Sequence, residues 1–162
     1  MSDESAGATA APAPVFEIGH QYIKDLSFEV PGAPKVFETP TTPNVTVNVD
    51  VAATMLGQGS YEVALRMDAK GEAGGSPLFL VELVYAGLFR VGNLPEDQIQ
   101  PLMLIEAPRL LFPFARGIVA GVTRDGGLPP LMITPIDFVA LYRRRVAAKA
   151  EAAAAKNGGG NA

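Results

Sequence analysis

An α+β fold, in which a four-stranded antiparallel sheet carries helices packed on one face, is predicted from two observations on the sequence. Apolar residues recur at every second position in the first half of the chain and at helical spacing from about residue 95 onward. The connections between the predicted strands are too short for a crossover helix, except for one proline-rich loop, so neighbouring strands should run antiparallel. Strands followed by helices form the α+β pattern.

A single folded domain is expected for these 162 residues, of which 48% are hydrophobic, because they contain no internal repeat. We place this domain at residues 15–148. Residues 1–14 mix Ala, Pro, Ser, Gly and acidic residues without periodicity, which predicts a disordered N-terminal arm. Residues 149–162 pass from Ala-rich sequence into Gly and Asn, which predicts a flexible C-terminal tail.

The first predicted strand covers residues 18–30, where apolar residues dominate the even positions. The loop that follows carries four prolines between residues 31 and 43, which remove amide donors and bar a central strand. Three further strands are predicted after it, and turns containing glycine separate them. Their ranges are 45–52, 61–68 and 79–84.

One face of this sheet should be open to water, because a single layer of helices covers only the other face. Strand alternation assigns ten residues to the open face: Ile23, Asp25, Ser27, Glu29, Asp50, Glu62, Arg66, Asp68, Leu80 and Glu82. Such a face is either simply solvated or a docking surface for a basic partner. The residue pattern leaves both interpretations open.

Residues 95–123 are predicted to be helical, with a break or kink at Pro101, Pro108 and Pro113 and a stop at the two glycines that follow residue 125. A last helix should start at the sequence TPID, with Thr134 as N-cap, proline at the first helical position and an acid at the third. We interpret the basic run at 143–145 as a solvated helix face.

The helical half is apolar nearly all round, since only Glu106, Arg109 and Arg116 are charged between residues 101 and 122. A helix of this kind is buried on more than one side. Self-association is therefore expected, with a tightly wrapped monomeric core as the alternative.

The net charge of −4 argues against a nucleic-acid partner, which needs clustered Lys and Arg. The N-terminal sequence is acidic and lacks an apolar signal region, so the protein should stay in the cytoplasm. Its longest apolar stretch, 78–91, is interrupted by Glu82 and Arg90, and no membrane insertion is expected. The absence of cysteine rules out disulfides and thiol chemistry.

Groups for catalysis are scarce. The one histidine, His20, is expected on the inward-leaning face of the first strand as a structural residue. The sequence GQGS at 57–60 looks like half a phosphate loop, but no Lys follows it and a hairpin turn explains it. The carboxylates of Asp25 and Glu29 are roughly 13 Å apart along a strand, too far for a pair that acts across one bond. We expect no catalytic residue, metal or cofactor.

Four segments resemble the SecB protein-export chaperones. They are YIKDLSFEVPGAPKVFE at 22–38, FLVELVYAGLF at 79–89, PRLLFPFAR at 108–116 and LPPLMITPIDFVALY at 128–142. The resemblance covers residues 16–145 in order. It implies an ATP-independent holdase that binds unfolded precursor polypeptides, assembles as a homotetramer built as a dimer of dimers, and hands its clients to the SecA ATPase.

The resemblance also implies two sets of site residues. Those expected to bind SecA are Asp25, Glu29, Leu80 and Glu82, all of which alternation places on the open face. Those expected to line the client groove are Tyr22, Phe37, Phe89, Leu128 and Tyr142. This chain departs from the family pattern in two places: Thr41 stands where enteric relatives carry Trp, and the tail EAAAAKNGGGNA replaces an acidic one.

The main alternative is a small-molecule binder or a thioesterase-like enzyme of the hot-dog type. Such an enzyme needs a carboxylate or amide aimed into a pocket at a helix start. In this chain that region offers Glu96, Asp97 and Gln98, which also suit the first turn of a helix.

Overall fold

A computed structural model describes residues 9–158 of the chain. Four strands form one sheet, with neighbours in the order β1-β4-β3-β2 and every neighbouring pair antiparallel. Their bounds are β1 Val15–Glu29, β2 Asn44–Gly57, β3 Ser60–Ala73 and β4 Ser76–Gly92. The predicted antiparallel sheet is confirmed, and each strand except β1 extends well beyond its predicted range.

Helices follow the sheet, as predicted. They comprise α1 Glu96–Pro101, a π-helical segment Leu102–Glu106, α2 Ala107–Asp125 and α3 Phe138–Gly158. A 3₁₀ turn, Lys35–Phe37, lies earlier in the chain, in the proline-rich loop. Among residues 9–158, no helix has the length and apolar character needed to cross a membrane.

The core lies between one face of the sheet and α2. Val63, Leu65 and Met67 alternate along β3 and are fully buried on the helix side, which is why a period of two in the sequence folds as a half-buried strand. Leu111 and Val119 of α2 meet them from the other side. The α+β class with helices on one face is confirmed, and no helix among residues 9–158 covers the opposite face of the sheet.

The prolines do not interrupt the helical backbone. Pro101 and Pro108 flank the π-helical segment, where the amide of Ala107 bonds to the carbonyl of Leu102, five residues back. Because a proline ring inside an α-helix crowds the carbonyl four residues earlier, a wider turn relieves the strain. The sequence predicted a break or kink at three prolines. At Pro101 and Pro108 the structure has a change of helix type instead, and Pro113 lies inside the unbroken α2.

The stop of α2 is confirmed at its two glycines. Gly127 has a φ of 84°, in the left-handed region that glycine adopts without strain. Gly126 is also needed for packing, because the ring of Phe28 occupies the space that a side chain there would take.

The prediction that Thr134 caps the last helix is wrong. α3 begins at Phe138, and the carboxylate of Asp137 accepts a hydrogen bond of 2.9 Å from the amide of Ala140. Asp137 is therefore the N-cap. Residues 128–137, here called the connector, have no regular secondary structure and place Thr134 outside the helix.

Two register shifts interrupt the alternation of β1, one between Ile18 and Gln21 and the other between Ile23 and Asp25. Each inserts an extra residue, and residues beyond it change face. Ile23 therefore lies opposite the core residue Tyr85, on the helix side, where it is 48% exposed. Its assignment to the open face is wrong. His20 lies in the first shift and is exposed, so its inward-leaning placement is also wrong.

The predicted terminal segments lie partly outside the described residues: 1–8 of the N-terminal arm and 159–162 of the tail. Residues 9–14 have no regular secondary structure, and the carbonyl of Ala13 accepts a 2.9 Å hydrogen bond from the side chain of Asn93. α3 continues through residues 149–158 with every side chain exposed. Those residues of the predicted tail are helical in the structure.

Candidate functional site

The sheet face without helices brings together the four residues expected to bind SecA. Residues directly opposite each other on antiparallel strands share a face. Glu29 lies opposite Leu80, and two residues along β4 Glu82 lies opposite Ser27. Asp25 follows in the next pair, opposite Val84. The four residues therefore form one cluster across β1 and β4, which we call the docking face.

Charges around the docking face are unevenly paired. Three acids on the same side of the sheet each have a cation as partner: Glu62 with Lys24 at 2.6 Å, Asp68 with Arg66 at 3.1 Å and Glu72 with Lys70 at 2.5 Å. By contrast, none of Asp25, Glu29 and Glu82 is in an ion pair with another residue of 9–158. Their negative charge is therefore left to act outward.

Tyr22 lies on this side of the sheet as well. It faces Ala86 of β4, and its hydroxyl donates a hydrogen bond to Glu62, which Lys24 also binds. The bonds from Lys24 and Tyr22 lower the pKa of Glu62, and the bond to Glu62 raises the pKa of Tyr22. The structure thus places Tyr22 away from the other residues expected to line the client groove.

On the helix side, Phe37 lies against the glycine that precedes Leu128. The ring of Phe37, from the 3₁₀ turn of the proline-rich loop, lies 3.2 Å from where a Cβ on Gly127 would be, next to Leu128. Phe37 is 49% exposed, and Met132 of the connector is 57% exposed. Phe37 lies against the turn that ends α2, and Leu128 and Met132 follow that turn in the chain; we call these three residues the apolar band.

Tyr142 lies further along, on α3. It lines a cavity of about 560 Å³ between α3 and the edge strand β2, together with apolar residues such as Val51 and Leu104 and with charged residues that include Arg145. In sequence, the connector runs from the apolar band to the start of α3. Phe89 joins neither the cavity nor the apolar band, because it is only 2% exposed and its ring stacks on Phe16 with centroids 5.6 Å apart.

Two contacts that sequence analysis missed hold this region in place. The hydroxyl of buried Thr123 accepts a hydrogen bond from the amide of Leu131, which ties the connector to α2. Arg145 donates to the carbonyl of Val51 on β2, so the basic run is not wholly a solvated face. A lone polar residue at an apolar helical position was the only signal for Thr123, and no sequence signal pointed to Arg145.

The described part of the chain contains no group of three or more His, Cys, Asp or Glu side chains that could hold a metal ion.

The fold is shared with a solved chaperone. The SecB-like chaperone of Mycobacterium tuberculosis, solved in complex with a ChAD peptide from an antitoxin, superposes with a TM-score of 0.63 at 16% identity, covering 75% of this chain and 90% of that one. The family model for "Preprotein translocase subunit SecB" matches residues 9–149. The chain therefore belongs to the SecB family.

Sequence relatives agree with this assignment. "Protein-export protein SecB" of Rhodospirillum rubrum is 52% identical, with 99% of this chain and 100% of the relative covered. The protein of the same name from Hyphomonas neptunium is 48% identical, with 98% and 99% covered. The expected role, that of a chaperone in protein export, is confirmed at this level.

Proposed function

We propose that the protein is an ATP-independent holdase of the cytoplasm, which binds unfolded precursor polypeptides, keeps them competent for translocation and delivers them to SecA. One observation supports this most: exposed apolar side chains and unpaired acids are separated onto opposite sides of the sheet. Two partners of different chemistry can then bind at the same time.

Client binding would use the apolar band and the cavity beside Tyr142. A fully buried apolar side chain contributes about 1.5–3 kcal/mol, and a partly open site contributes less. One contact is too weak to hold a client, but several along one extended chain act together and need no defined sequence. A folded protein has its apolar residues buried and offers none of these contacts.

Hand-over would use the docking face. Asp25, Glu29 and Glu82 form no ion pair with another residue of 9–158, so a basic surface of SecA can bind them without first breaking one. Leu80 lies among them and adds an apolar contact. The complementary surface on SecA should be cationic and partly apolar.

Assembly as a homotetramer, a dimer of dimers, is also part of the proposal. Apolar side chains remain exposed on α2, at Leu110 and Phe114, and on the β2–β3 hairpin, at Met55 and Leu56. Apolar surface of this kind is usually covered by a partner. Four chains of net charge −4 carry −16 in total, which would steer basic segments toward the particle.

The holdase is tested by diluting a chemically denatured precursor into buffer with the purified protein and no ATP, and following light scattering. We expect aggregation to be suppressed near a one-to-one ratio of precursor to tetramer. Folded precursor, incubated first and then added, should not bind in a pull-down. Unchanged scattering at stoichiometric amounts would argue against holdase activity.

A thioesterase-like enzyme is not proposed. It required a carboxylate or amide aimed into a pocket at a helix start. Glu96 lines clefts there, but they are open to solvent, and Glu96, Asp97 and Gln98 are all exposed in the first turn of α1. The chain also belongs to a family of chaperones.

A further inference from the structure

A cation of the protein itself lies beside the docking face. Arg66 of β3 faces Val84 of β4, and Asp25 faces the same Val84 from β1. Arg66 and Asp25 therefore lie in one row across the sheet, on the same side. Glu82 is two residues along β4 from that row.

Asp68 holds Arg66 in this position. The guanidinium Nε donates to the Oδ2 atom of Asp68 at 3.1 Å, and both side chains remain partly exposed, at 50% and 33%. Asp68 lies directly opposite Glu82, and like charges in that relation repel. The positive charge of Arg66 offsets this repulsion. The pKa of Arg66 is raised, first by Asp68 and further by the charges of Glu82 and Asp25.

We propose that Arg66, held by Asp68, sets the affinity of the docking face by acting as an internal cation with which the basic side chains of SecA must compete. This inference rests on the proposed hand-over to SecA. Arg66 weakens the field of Asp25 and Glu82 without forming an ion pair with either. Binding would therefore be strong enough for delivery and weak enough for release.

The first test compares three variants for binding to purified SecA by stopped-flow or surface plasmon resonance. Arg66→Gln should raise the association rate constant about two- to fivefold at low salt, and less at 0.15 M, where the Debye length is about 8 Å. Arg66→Lys keeps the charge and should behave like the unmodified protein. Arg66→Gln binding no faster, or more weakly, would overturn the proposal.

Arg90→Gln is the matched control. Arg90 is exposed on the same face of β4, but roughly 26 Å from Glu82 at about 3.3 Å per residue. The Arg90→Gln substitution removes the same charge from the protein as Arg66→Gln does, and we expect it to leave SecA binding unchanged. An equal gain in both glutamine variants would show that only net charge matters, which would also overturn the proposal.

The second test asks whether Asp68 acts through Arg66. Asp68→Asn should weaken SecA binding in the unmodified background, because the released Arg66 can pair with Glu82 or Asp25. The same change should have a smaller effect in the Arg66→Gln background. An equal factor in both backgrounds would overturn the role of Asp68.

Failure of this inference can be told apart from failure of the hand-over itself. If the unmodified protein does not bind SecA, or if reversing the charges of Asp25, Glu29 and Glu82 leaves binding unchanged, the hand-over is refuted. If binding depends on those acids and Arg66→Gln leaves it unaltered, only the role of Arg66 is refuted. Circular dichroism of each variant checks that the fold is retained.

Discussion

The side chain of Thr123 and the amide of Leu131 are joined by a hydrogen bond of 2.9 Å. The same hydroxyl donates to the carbonyl of Val119 in the preceding turn, also at 2.9 Å. Thr123 is fully buried, so its hydroxyl is satisfied within the protein on both sides. One threonine thus fixes the path of the connector where it leaves α2, the part of the chain that carries Leu128 and Met132 of the apolar band.

Replacing Thr123 with Val should destabilise the fold by about 1–3 kcal/mol, because the amide of Leu131 would lose its buried partner while the shape is kept. Urea unfolding at one fixed protein concentration measures this, since assembly makes apparent stability depend on concentration. Thr134→Val, at an exposed connector position, is the control. Equal midpoints for the two variants would contradict the anchoring role.

Replacing Asp137 with Ala should cost about 1 kcal/mol, because the amide of Ala140 loses its cap. Thr134→Ala should have little effect, although the sequence alone favoured Thr134 as the cap. Thermal unfolding followed at 222 nm compares the two. A larger loss in Thr134→Ala would favour the sequence-based N-cap over the observed one.

Changing Asp25, Glu29 and Glu82 together to Lys should abolish SecA binding, because a cationic partner would then meet cations. Suppression of precursor aggregation should persist, since the apolar band lies on the other side of the sheet. Both activities are measured on the same preparation. Loss of both would mean that the two surfaces are not independent.

Phe37→Ala should weaken client binding about three- to tenfold, as expected for a half-exposed ring that becomes buried against a client. Folding stability should change little. Val45→Ala is the matched control, because Val45 is also exposed and apolar but lies on β2, outside the apolar band and the surfaces proposed for assembly. Fluorescence titration with an unfolded precursor gives the affinities, and similar losses in both variants would refute a specific role for Phe37.

The lowered pKa of Glu62 predicts that the stability of the fold depends on pH. Its pKa is lowered from an ordinary value of 4.5 by bonds from Lys24 and Tyr22, so its contribution is complete above pH 4.5 and is lost as the pH falls through the lowered value. Glu62→Gln should therefore make the decline of unfolding free energy below pH 4.5 shallower.

Glu72→Gln serves as the control for Glu62→Gln. It also removes one negative charge from an ion pair, but the side chain of Glu72 is 47% exposed, whereas that of Glu62 is 16% exposed. The free energy of unfolding is measured at steps from pH 6 to pH 3. Parallel curves for Glu62→Gln and the unmodified protein would contradict the prediction.

Much of the sheet could be predicted because β2, β3 and β4 keep a period of two, so alternation places Glu82 and Leu80 on the open face. The same argument fails for β1, because two bulges interrupt its alternation. A glycine inside a strand, as at position 19, can mark a bulge, but the second shift, at Lys24, has no such signal, and each bulge reverses the facing of later residues. Ile23 and Tyr22 were therefore assigned to the wrong sides, whereas Asp25 and Glu29, beyond the second shift, were placed correctly.

Contacts between distant segments could not be predicted at all. Arg145 and Val51 are joined only once α3 lies along β2, and the bond of Thr123 to Leu131 requires the turn at the end of α2. Phe89 is large and apolar, as a groove residue should be, but the ring of Phe16 stacks over it and helps to bury it. Side-chain type reports what a residue can do, and the packing of separate elements decides whether it is exposed to do it.

The two register shifts of β1 also affect how readily this edge of the sheet can pair with another chain. β1 is an outer strand of the sheet, and a smooth outer strand invites any extended polypeptide to hydrogen-bond along it. Extra residues at positions 19–20 and 24 break up the regular spacing of backbone groups along that rim. For the proposed holdase, which would bind extended chains, this makes β1 a poorer template on which such chains could aggregate.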